Sequence, residues 1–454
     1  MDNFERRGWI CDGSGRTGGR ESEYGRAPEV ASDFVLYWAS MAGVRALYAP
    51  GSGVRLRDGQ AVNHFPNSAE LVRKDMLVKN LKRYRRQLSQ AGTPCPEIVP
   101  LTFYLPQDYG MLAEAFKRRP SKPWIAKPVG RAQGRGIFLV TRLSQLRQFR
   151  GGSTAASRLA ASAGAAAAST AGGASSPSAR SDASSGAGGG AASAAAFASD
   201  MYVLSRYIDR PLLIGGRKFD LRLYCLVTSF SPLRAYIHRQ GFARFCAVPY
   251  SSSRADLADA AMHLTNVSVQ KHTDEYSAVH GGKWGLDRLA LYVEATRGRA
   301  ATAALFRDIR EIVRHSLLAV QPRMAPETRA FELYGYDVII DGALRPWLVE
   351  VNASPSLSAT TPDDLAMKSA VISDTMDVVV RDLRLLPTKG RQASRGGAAG
   401  GKWAAHVCHP SDVTAPPGSP LGGFESLIDE SRGFGCGFWS PPSSSESVTA
   451  PADA

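Results

Sequence analysis

Residues 334–357 read Y-G-Y-D-V-I-I-D-G-A-L-R-P-W-L-V-E-V-N-A-S-P-S-L. Two apolar runs flank Asp341-Gly342, a turn dipeptide, so the segment reads as a β-hairpin. Side chains alternate faces along a strand. Leu348, Glu350 and Asn352 are then expected on one face, and Val349 and Val351 on the other, toward a core. A turn centred between Ala343 and Leu344 sets Asp337 opposite Glu350. Directly paired carboxylates repel unless something cationic lies between them. Asp337, Glu350 and Asn352 thus make an all-oxygen cluster before Pro355 breaks the run. Hard oxygen ligands suit Mg²⁺, which takes one or two carboxylates together with nucleotide phosphates. The other reading is a polar sheet face without a metal.

Three further stretches share this polar character. P-W-I-A-K-P-V-G-R-A-Q-G-R-G-I-F-L-V (123–140) reads strand, Gly-rich loop, strand. Gly130, Gly134 and Gly136 let backbone N–H groups approach an anion, and Lys127, Arg131 and Arg135 bring charge. The spacing is not that of a Walker A loop. In I-G-G-R-K-F-D-L-R-L-Y-C-L-V (214–227), a period of two puts Lys218, Asp220 and Arg222 on one face. That face is either exposed or lines a cleft where cations hold phosphate or carboxylate. M-H-L-T-N-V-S-V-Q-K (262–271) carries Thr265 and Asn266 in a strand-like run, with His263 read as structural. No G-x-S-x-G elbow and no Ser/His/Asp or Cys/His arrangement is legible, so covalent hydrolysis is not expected.

The chain has 454 residues, enough for two or three packed units. Lys plus Arg number 55 against 41 Asp plus Glu, a formal charge of +14 that favours an anionic partner. Cys11, Cys95, Cys225, Cys246, Cys408 and Cys436 form no C-x-x-C pair, so neither a zinc ribbon nor a redox motif is expected. The first residues lack the apolar core of a signal peptide, and no run of about 18 apolar residues exists to span a bilayer. A reduced, intracellular protein is the expectation. Residues 151–200 are nearly all Ala, Ser and Gly and read as a disordered insert; 387–454 read as a disordered tail. Glu70–Leu88 predicts a helix, with Leu77, Leu81, Tyr84 and Leu88 at helical spacing and Asn67 or Ser68 as cap. Its other faces carry Lys74, Lys79, Lys82, Arg83, Arg85 and Arg86, either a solvated face or an anion-binding surface. A second helix is predicted over 300–320. Hairpin signals outnumber βαβ alternation, which points to an α+β fold with antiparallel sheets.

Taken in order, W-I-A-K-P…Q-G-R-G-I-F, G-G-R-K-F-D-L-R, H-L-T-N, Y-G-Y-D and E-V-N-A-S-P-S-L resemble the tubulin tyrosine ligase-like family. The likeness runs from N-F-E-R-R-G-W (3–9) through V-N-H-F-P-N and K-N-L-K-R-Y-R to about Asp377, apart from the insert. Among branches it looks most like the short glutamylases. The resemblance implies an ATP-grasp fold with three subdomains, over about 1–97, 98–200 and 201–386. It implies that Lys127 contacts ATP phosphate under a covering loop with Gln133, Gly134 and Arg135. Ser205, Arg206, Tyr207 and Ile208 would hold adenine. Lys218, Phe219, Asp220, Thr265 and Asn266 would also meet the nucleotide. Asp337, Glu350 and Asn352 would bind Mg²⁺. Arg222 would face the reacting carboxylate, with Lys218 beside it, and Arg244 and Lys283 would bind incoming glutamate. Arg135 stands where the family usually has Lys, which keeps the charge and changes its shape.

The implied activity is ATP- and Mg²⁺-dependent ligation of free L-glutamate to glutamate γ-carboxylates in tubulin tails, through an acyl phosphate. The rivals are a glycine ligase and a catalytically idle microtubule-binding subunit. A nucleic-acid binder rests on charge alone, with no RNP motif, zinc finger or helix-turn-helix to support it. Implied surroundings are the cytoplasm and cytoskeleton, with a cilium or flagellum axoneme or basal body, and accessory subunits. The basic helix at 70–88 would capture the acidic tail electrostatically.

Overall fold

A computed structural model describes residues 34–131, 134–149, 201–253, 256, 259–270, 282–385, 422–432 and 434–435. Residues 3–9, Gln133, the 151–200 insert and most of the tail lie outside them. Two antiparallel sheets face each other across a cleft. The smaller holds β1 (Thr102–Leu105), β2 (Trp124–Pro128), β3 (Phe138–Val140) and β4 (Tyr202–Arg206), in the order β1-β4-β2-β3. Its outer face packs Phe103, Leu105, Trp124, Ala126, Tyr202 and Leu204 under helix α2 (Tyr109–Arg118). Its inner face turns Thr102, Ile125, Lys127, Val203 and Ser205 to the cleft.

The larger sheet contains β5 (Arg217–Phe230), β6 (Leu233–Phe245), β7 (Lys283–Gly285), β8 (Glu332–Ile340), β9 (Pro346–Asn352) and β10 (Phe424–Asp429). Its main path is β9-β8-β5-β6-β10, with β7 also on β6. Every labelled pairing in it is antiparallel. Helices cover both faces, which is why β5 and β8 are buried almost end to end. On one face Leu221, Leu223, Cys225, Val227, Tyr334 and Tyr336 pack with α4 (Arg299–Val320). On the other, Tyr224, Leu226, Phe331 and Leu333 pack with Val371, Met376 and Val379 of α5 (Pro362–Asp382). Lys218, Asp220 and Arg222 share the parity of Tyr224 and Leu226. The face that carries the charges therefore becomes a core further along the same strand.

The hairpin β8–β9 places Asp337 opposite Glu350, by a different route from the simple count. Ile340 pairs with Pro346, so the tip centres on Ala343, half a residue early. A bulge at Val349 then restores the offset: Val338 pairs with Leu348 and Asp337 with Glu350. The bulge breaks strict alternation. Leu348 joins Val351 in the core instead of sharing a face with Glu350. Asp341 fixes the tip by accepting the N–H groups of Ala343 (2.9 Å) and Arg345 (3.0 Å) and the Trp347 indole N–H (3.0 Å).

The predicted helix over 70–88 divides at Arg73, which is extended (φ −75°, ψ 124°) between Ala69–Val72 and α1 (Lys74–Gln90). The Arg73 guanidinium donates to Asp75 in the first turn of α1, at 3.1 and 3.0 Å. The helix predicted over 300–320 is α4, and α3 (Leu286–Arg297) precedes it.

The tail departs from expectation. Phe424–Asp429 is a strand, β10, on the edge of β6, with Phe424 beside His238. Phe424, Leu427 and Ile428 are buried. Gly423 N–H donates to Asp374 of α5 (2.7 Å), which also meets His238 Nε2 (3.0 Å). Glu425 pairs with Arg239 (2.8 Å) and Arg310 (2.6 Å). Six apolar-patterned residues vanish in the average composition of a long Gly/Ser/Pro segment. Phe424→Ala is expected to cost about 3 kcal/mol in urea unfolding, because it empties a packed site beneath the edge strand. Unchanged stability would mean that β10 does not dock in solution.

Candidate functional site

The cleft collects residues that are far apart in the chain. The small sheet contributes Lys127, Gly134, Arg135, Ser205, Arg206, Tyr207 and Ile208. The large sheet contributes Lys218, Asp220, Arg244, Asp337 and Glu350, and Thr265 and Asn266 close one side. The Phe219 side chain does not join them; strand alternation buries it against Phe245, ring centres 5.1 Å apart. Arg206 turns its guanidinium onto the Trp124 ring, 4.2 Å from its centre. Gly134 has φ +77°, and a Cβ there would meet Asn266 Oδ1 at 3.2 Å, so the glycine lets the loop approach Asn266.

The acids form a ladder with arginines. Arg244 makes two bonds to Asp220, at 2.7 and 2.6 Å, and a third contact to Asp337 at 2.9 Å. Arg222 makes two bonds to Asp337, at 2.7 and 3.2 Å. Burial works against ionisation of Asp337, but the Arg222 and Arg244 charges outweigh it and hold its carboxyl well below the usual range. Glu350 takes Lys74 of α1 instead, at 3.2 Å. Arginines and a lysine thus relieve the carboxylate repulsion across the hairpin.

Two cleft lysines, Lys127 on the small sheet and Lys218 on the large one, hydrogen-bond to neutral oxygens. Lys127 is buried, and the contact its ammonium makes is a long one to the Val349 carbonyl (3.4 Å). Burial pulls its pKa down to about 8. Lys218, also buried, donates to Tyr207 Oη (3.0 Å) and the His263 carbonyl (2.8 Å), and burial lowers its pKa too. Both buried ammonium groups hydrogen-bond to neutral oxygens, and burial outweighs the pull of Glu350 on Lys127 and of Asp220 on Lys218, so each gains from added negative charge. Polyphosphate supplies that charge, so the residues fit a nucleotide. The expected metal set offers oxygen donors that suit Mg²⁺ in kind: Asp337 and Glu350 oppose each other, and Asn352 donates its amide N–H to the Gly335 carbonyl (3.4 Å). Both Asp337 oxygens are also paired with arginine, and among the described residues no three His, Cys, Asp or Glu cluster.

Lys283 does not line this cleft; it lines a second cavity, in a group with Asp364 and Lys368. Asp364, near the start of α5, binds Lys283 (2.8 Å) and Lys368 (3.0 Å) together. Both ammonium groups lie over the Phe242 ring, 5.2 and 5.7 Å from its centre. Two cations and one anion leave one positive charge. The i,i+4 pair in T-P-D-D-L-A-M-K was the available signal for Asp364 and Lys368.

The basic face of α1 is largely engaged within the protein. Lys74 holds Glu350, Lys82 holds Asp108 (2.7 Å), Arg83 donates to the Ala319 carbonyl (3.3 Å) and Arg85 reaches Glu97 (3.4 Å). Lys79 sits over Tyr104. The helix therefore offers much less free charge than its sequence suggests.

Residues 54–386 match the model of the tubulin-tyrosine ligase family, and the chain belongs to that family. It is 39 % identical over 393 residues to "Probable alpha-tubulin polyglutamylase Ttll1" of Tetrahymena thermophila, covering 84 % of this chain and 83 % of that one. It is 39 % identical over 367 residues to "Probable tubulin polyglutamylase TTLL9" of Bos taurus, covering 80 % and 76 %. Similarity to human "Tubulin polyglutamylase TTLL5" is 33 % over 339 residues, which is 71 % of this chain and 22 % of that longer protein. The mixed fold with antiparallel sheets agrees with this family, and no described helix is long and apolar enough to cross a membrane.

An anion bound beside Lys127 favours the ammonium form. ATP affinity, measured by fluorescence titration in EDTA, should therefore weaken as pH rises past about 8. The fall should approach about tenfold per pH unit at its steepest. Lys127→Arg, whose charge does not titrate there, should give a shallower profile. A wild-type profile as shallow as that of the variant would remove Lys127 from the phosphate site.

Proposed function

We propose that this chain is an ATP- and Mg²⁺-dependent tubulin polyglutamylase. Family membership supports an ATP-dependent ligase in general terms. The relatives named as polyglutamylases support glutamate as donor and tubulin as acceptor. The observation that supports the reading is the charge of the cleft: buried Lys127 and Lys218, hydrogen-bonded to neutral oxygens, share it with the opposed acids Asp337 and Glu350, and a net-positive Lys283–Lys368–Asp364 group borders a second cavity.

A carboxylate is a poor electrophile. Transfer of a phosphoryl group makes it an acyl phosphate; an amine then attacks carbon and phosphate leaves. In this scheme Lys127 and Lys218 hold phosphate oxygens, and Gly134 and Arg135 cover them. Ser205 to Ile208 line the base, with Thr265 and Asn266 near the sugar. Asp337, Glu350 and Asn352 would hold Mg²⁺, which when bound offsets phosphate charge. Arg222 meets the acceptor carboxylate as its charge redistributes. Arg244, the other residue expected to bind glutamate, already pairs its guanidinium with Asp220 and Asp337. Lys283 and Lys368 take the side-chain carboxylate of incoming glutamate; glycine has no group for them. The product is an isopeptide-linked glutamate on a γ-carboxylate of the acidic tubulin tail. The place of action is the microtubule cytoskeleton, including axonemes, with accessory subunits as further partners.

The test is incorporation of labelled glutamate and labelled glycine into purified microtubules, with and without Mg²⁺, against tail-cleaved microtubules. Glutamate should be used best, and only with metal and tail present. Glu350→Gln should lose about a hundredfold or more in rate. Preferred use of glycine would overturn the donor assignment. No incorporation of either, with microtubule binding intact, would make the chain an idle binding subunit.

A further inference from the structure

The second cavity, of about 1210 Å³, opens at the outer edge of β6. Two strands share that edge. β7 pairs with residues 242–244 and β10 with residues 234–238; Arg239, Gln240 and Gly241, between them, line the cavity. The cavity reaches round the edge to both faces of the sheet. Lys283, Asp364 and Met367 line it on the side of α5, and Phe306, Ile309 and Arg310 of α4 line it on the other. It exceeds the about 300–1,000 Å³ that holds a drug-sized ligand, so it has room for more than one amino acid.

One carboxylate is seated there between two arginines. Glu425 of β10 takes Arg239 Nε on one oxygen (2.8 Å) and Arg310 Nη1 on the other (2.6 Å). Arg310 also donates to the Ser426 carbonyl (3.2 Å). A guanidinium on each oxygen, in charge-assisted bonds, is the arrangement that recognises a carboxylate. The arginines stand on β6 and α4, within the residues 54–386 that match the family, and Glu425 comes from beyond them. The family domain thus supplies both cations, and an appended segment supplies the anion. The group is partly wet: Glu425 is 23 % and Arg239 50 % exposed, against 12 % for Arg310. Bonds to so exposed an arginine are weak and exchangeable.

The docking of the strand does not depend on this side chain. β10 is held by burial of Phe424, Leu427 and Ile428, and by close approach at Gly423, where an added Cβ would lie 2.5 Å from His238 Nε2. Glu425 lines the cavity instead and can leave its arginines while the strand stays in place. Five Lys or Arg and five Asp or Glu side chains line the cavity. Its formal charge is therefore zero with Glu425 seated and +1 with that carboxylate turned out.

We propose that Arg239 and Arg310 form a carboxylate subsite for an acidic peptide, the acceptor chain of the reaction, and that Glu425 fills it in cis. The identity of that peptide rests on the polyglutamylase reading above. The subsite anchors the chain and takes no part in bond formation. Arg222 pairs opposite Phe242, which packs on the α5 face, whereas Arg310 belongs to α4 on the opposite face. The cavity connects the two sides round the edge of β6. Lys283 pairs with Arg244, five residues beyond Arg239 along β6, about 17 Å away at strand spacing. An extended peptide covers that distance in about five residues, so one acidic chain can reach both. While Glu425 is seated, an outside carboxylate must displace it, and the apparent affinity falls with the fraction of time the subsite is open. Glu425 is thus a built-in competitor that weakens capture of the acceptor.

The test uses the full-length protein without ATP and a fluorescein-labelled peptide of ten glutamates, read by anisotropy, with thermal midpoints as a folding control. Glu425→Gln keeps the shape of the side chain and removes its charge. It should bind the peptide about five- to tenfold more tightly than wild type. Glu294→Gln removes the same charge from another part of the cavity wall and should change affinity far less. Arg310→Gln, added to Glu425→Gln, should abolish the gain. Equal gains from Glu425→Gln and Glu294→Gln would mean a general charge effect and overturn the subsite. So would the absence of any gain from Glu425→Gln, with or without a lowered midpoint, which would reduce the three residues to a tie that holds β10. Glutamate incorporation into microtubules separates this inference from the reading beneath it. With Glu425→Gln, the KM for microtubules should fall several-fold with kcat little changed. If no glutamate is incorporated but peptide affinity responds as expected, the ligase reading fails and the carboxylate subsite stands. If incorporation proceeds and Glu425→Gln alters neither affinity nor KM, the subsite fails and the ligase reading stands.

Discussion

The buried ladder Asp220–Arg244–Asp337–Arg222 is the constraint around which the molecule is built. It joins three neighbouring strands, β6, β5 and β8, through charges that are mostly buried. Removing one partner from such a ladder leaves an uncompensated buried charge, at a cost of about 3–5 kcal/mol. Its geometry is demanding because each guanidinium fork must meet a carboxylate side-on. Strand register must therefore be right to the residue. The bulge at Val349 meets that requirement on the far side of β8, where it returns Glu350 to its place opposite Asp337.

Much of this was legible because it is local or periodic. Alternation along β5 put Lys218, Asp220 and Arg222 together, and the D-G turn put Asp337 near Glu350. The correct pairing nevertheless came from two offsets that cancelled: a tip half a residue early, and a bulge that no residue type announces. Leu348 shows the error, since it belongs to the core and not to the polar face. What stayed hidden depends on long-range closure. Nothing local in the sequence ties Glu332 to its hydrogen-bond partner His64, 268 positions away. Nothing local ties Asp364 and Lys368 to Lys283, which β7 brings to them. β10 was lost in the composition of its flanks, and its F-E-S-L-I-D pattern, broken by a bulge after Ser426, does not alternate.

Charge counting was the weakest guide. The excess of basic residues suggested a cationic helix waiting for an acidic partner, yet several α1 cations hold carboxylates or carbonyls of the same chain. Formal charge says how many cations exist, and only the fold says which are already engaged. The informative cations are the buried ones whose hydrogen bonds go to neutral groups. Lys127 and Lys218 lie on facing sheets, and burial, the dominant influence on both, is unfavourable to their charge unless an anion comes.

The two hairpin acids differ in the same way. Asp337 is 2 % exposed and held by two arginines, so exchange of its partners is expensive. Glu350 is 22 % exposed, and its partner Lys74 is 16 % exposed, at 3.2 Å. A pair that wet is worth no more than about 1 kcal/mol and can be given up at little cost. Lys74 opens α1, whereas Arg222 and Arg244 are fixed within the sheet. One acid is thus a rigid reference point and the other can change partner. A cation that entered between them would displace a lysine on a helix and leave the arginines of the sheet in place. The hairpin can therefore admit charge without disturbing the ladder that sets its register.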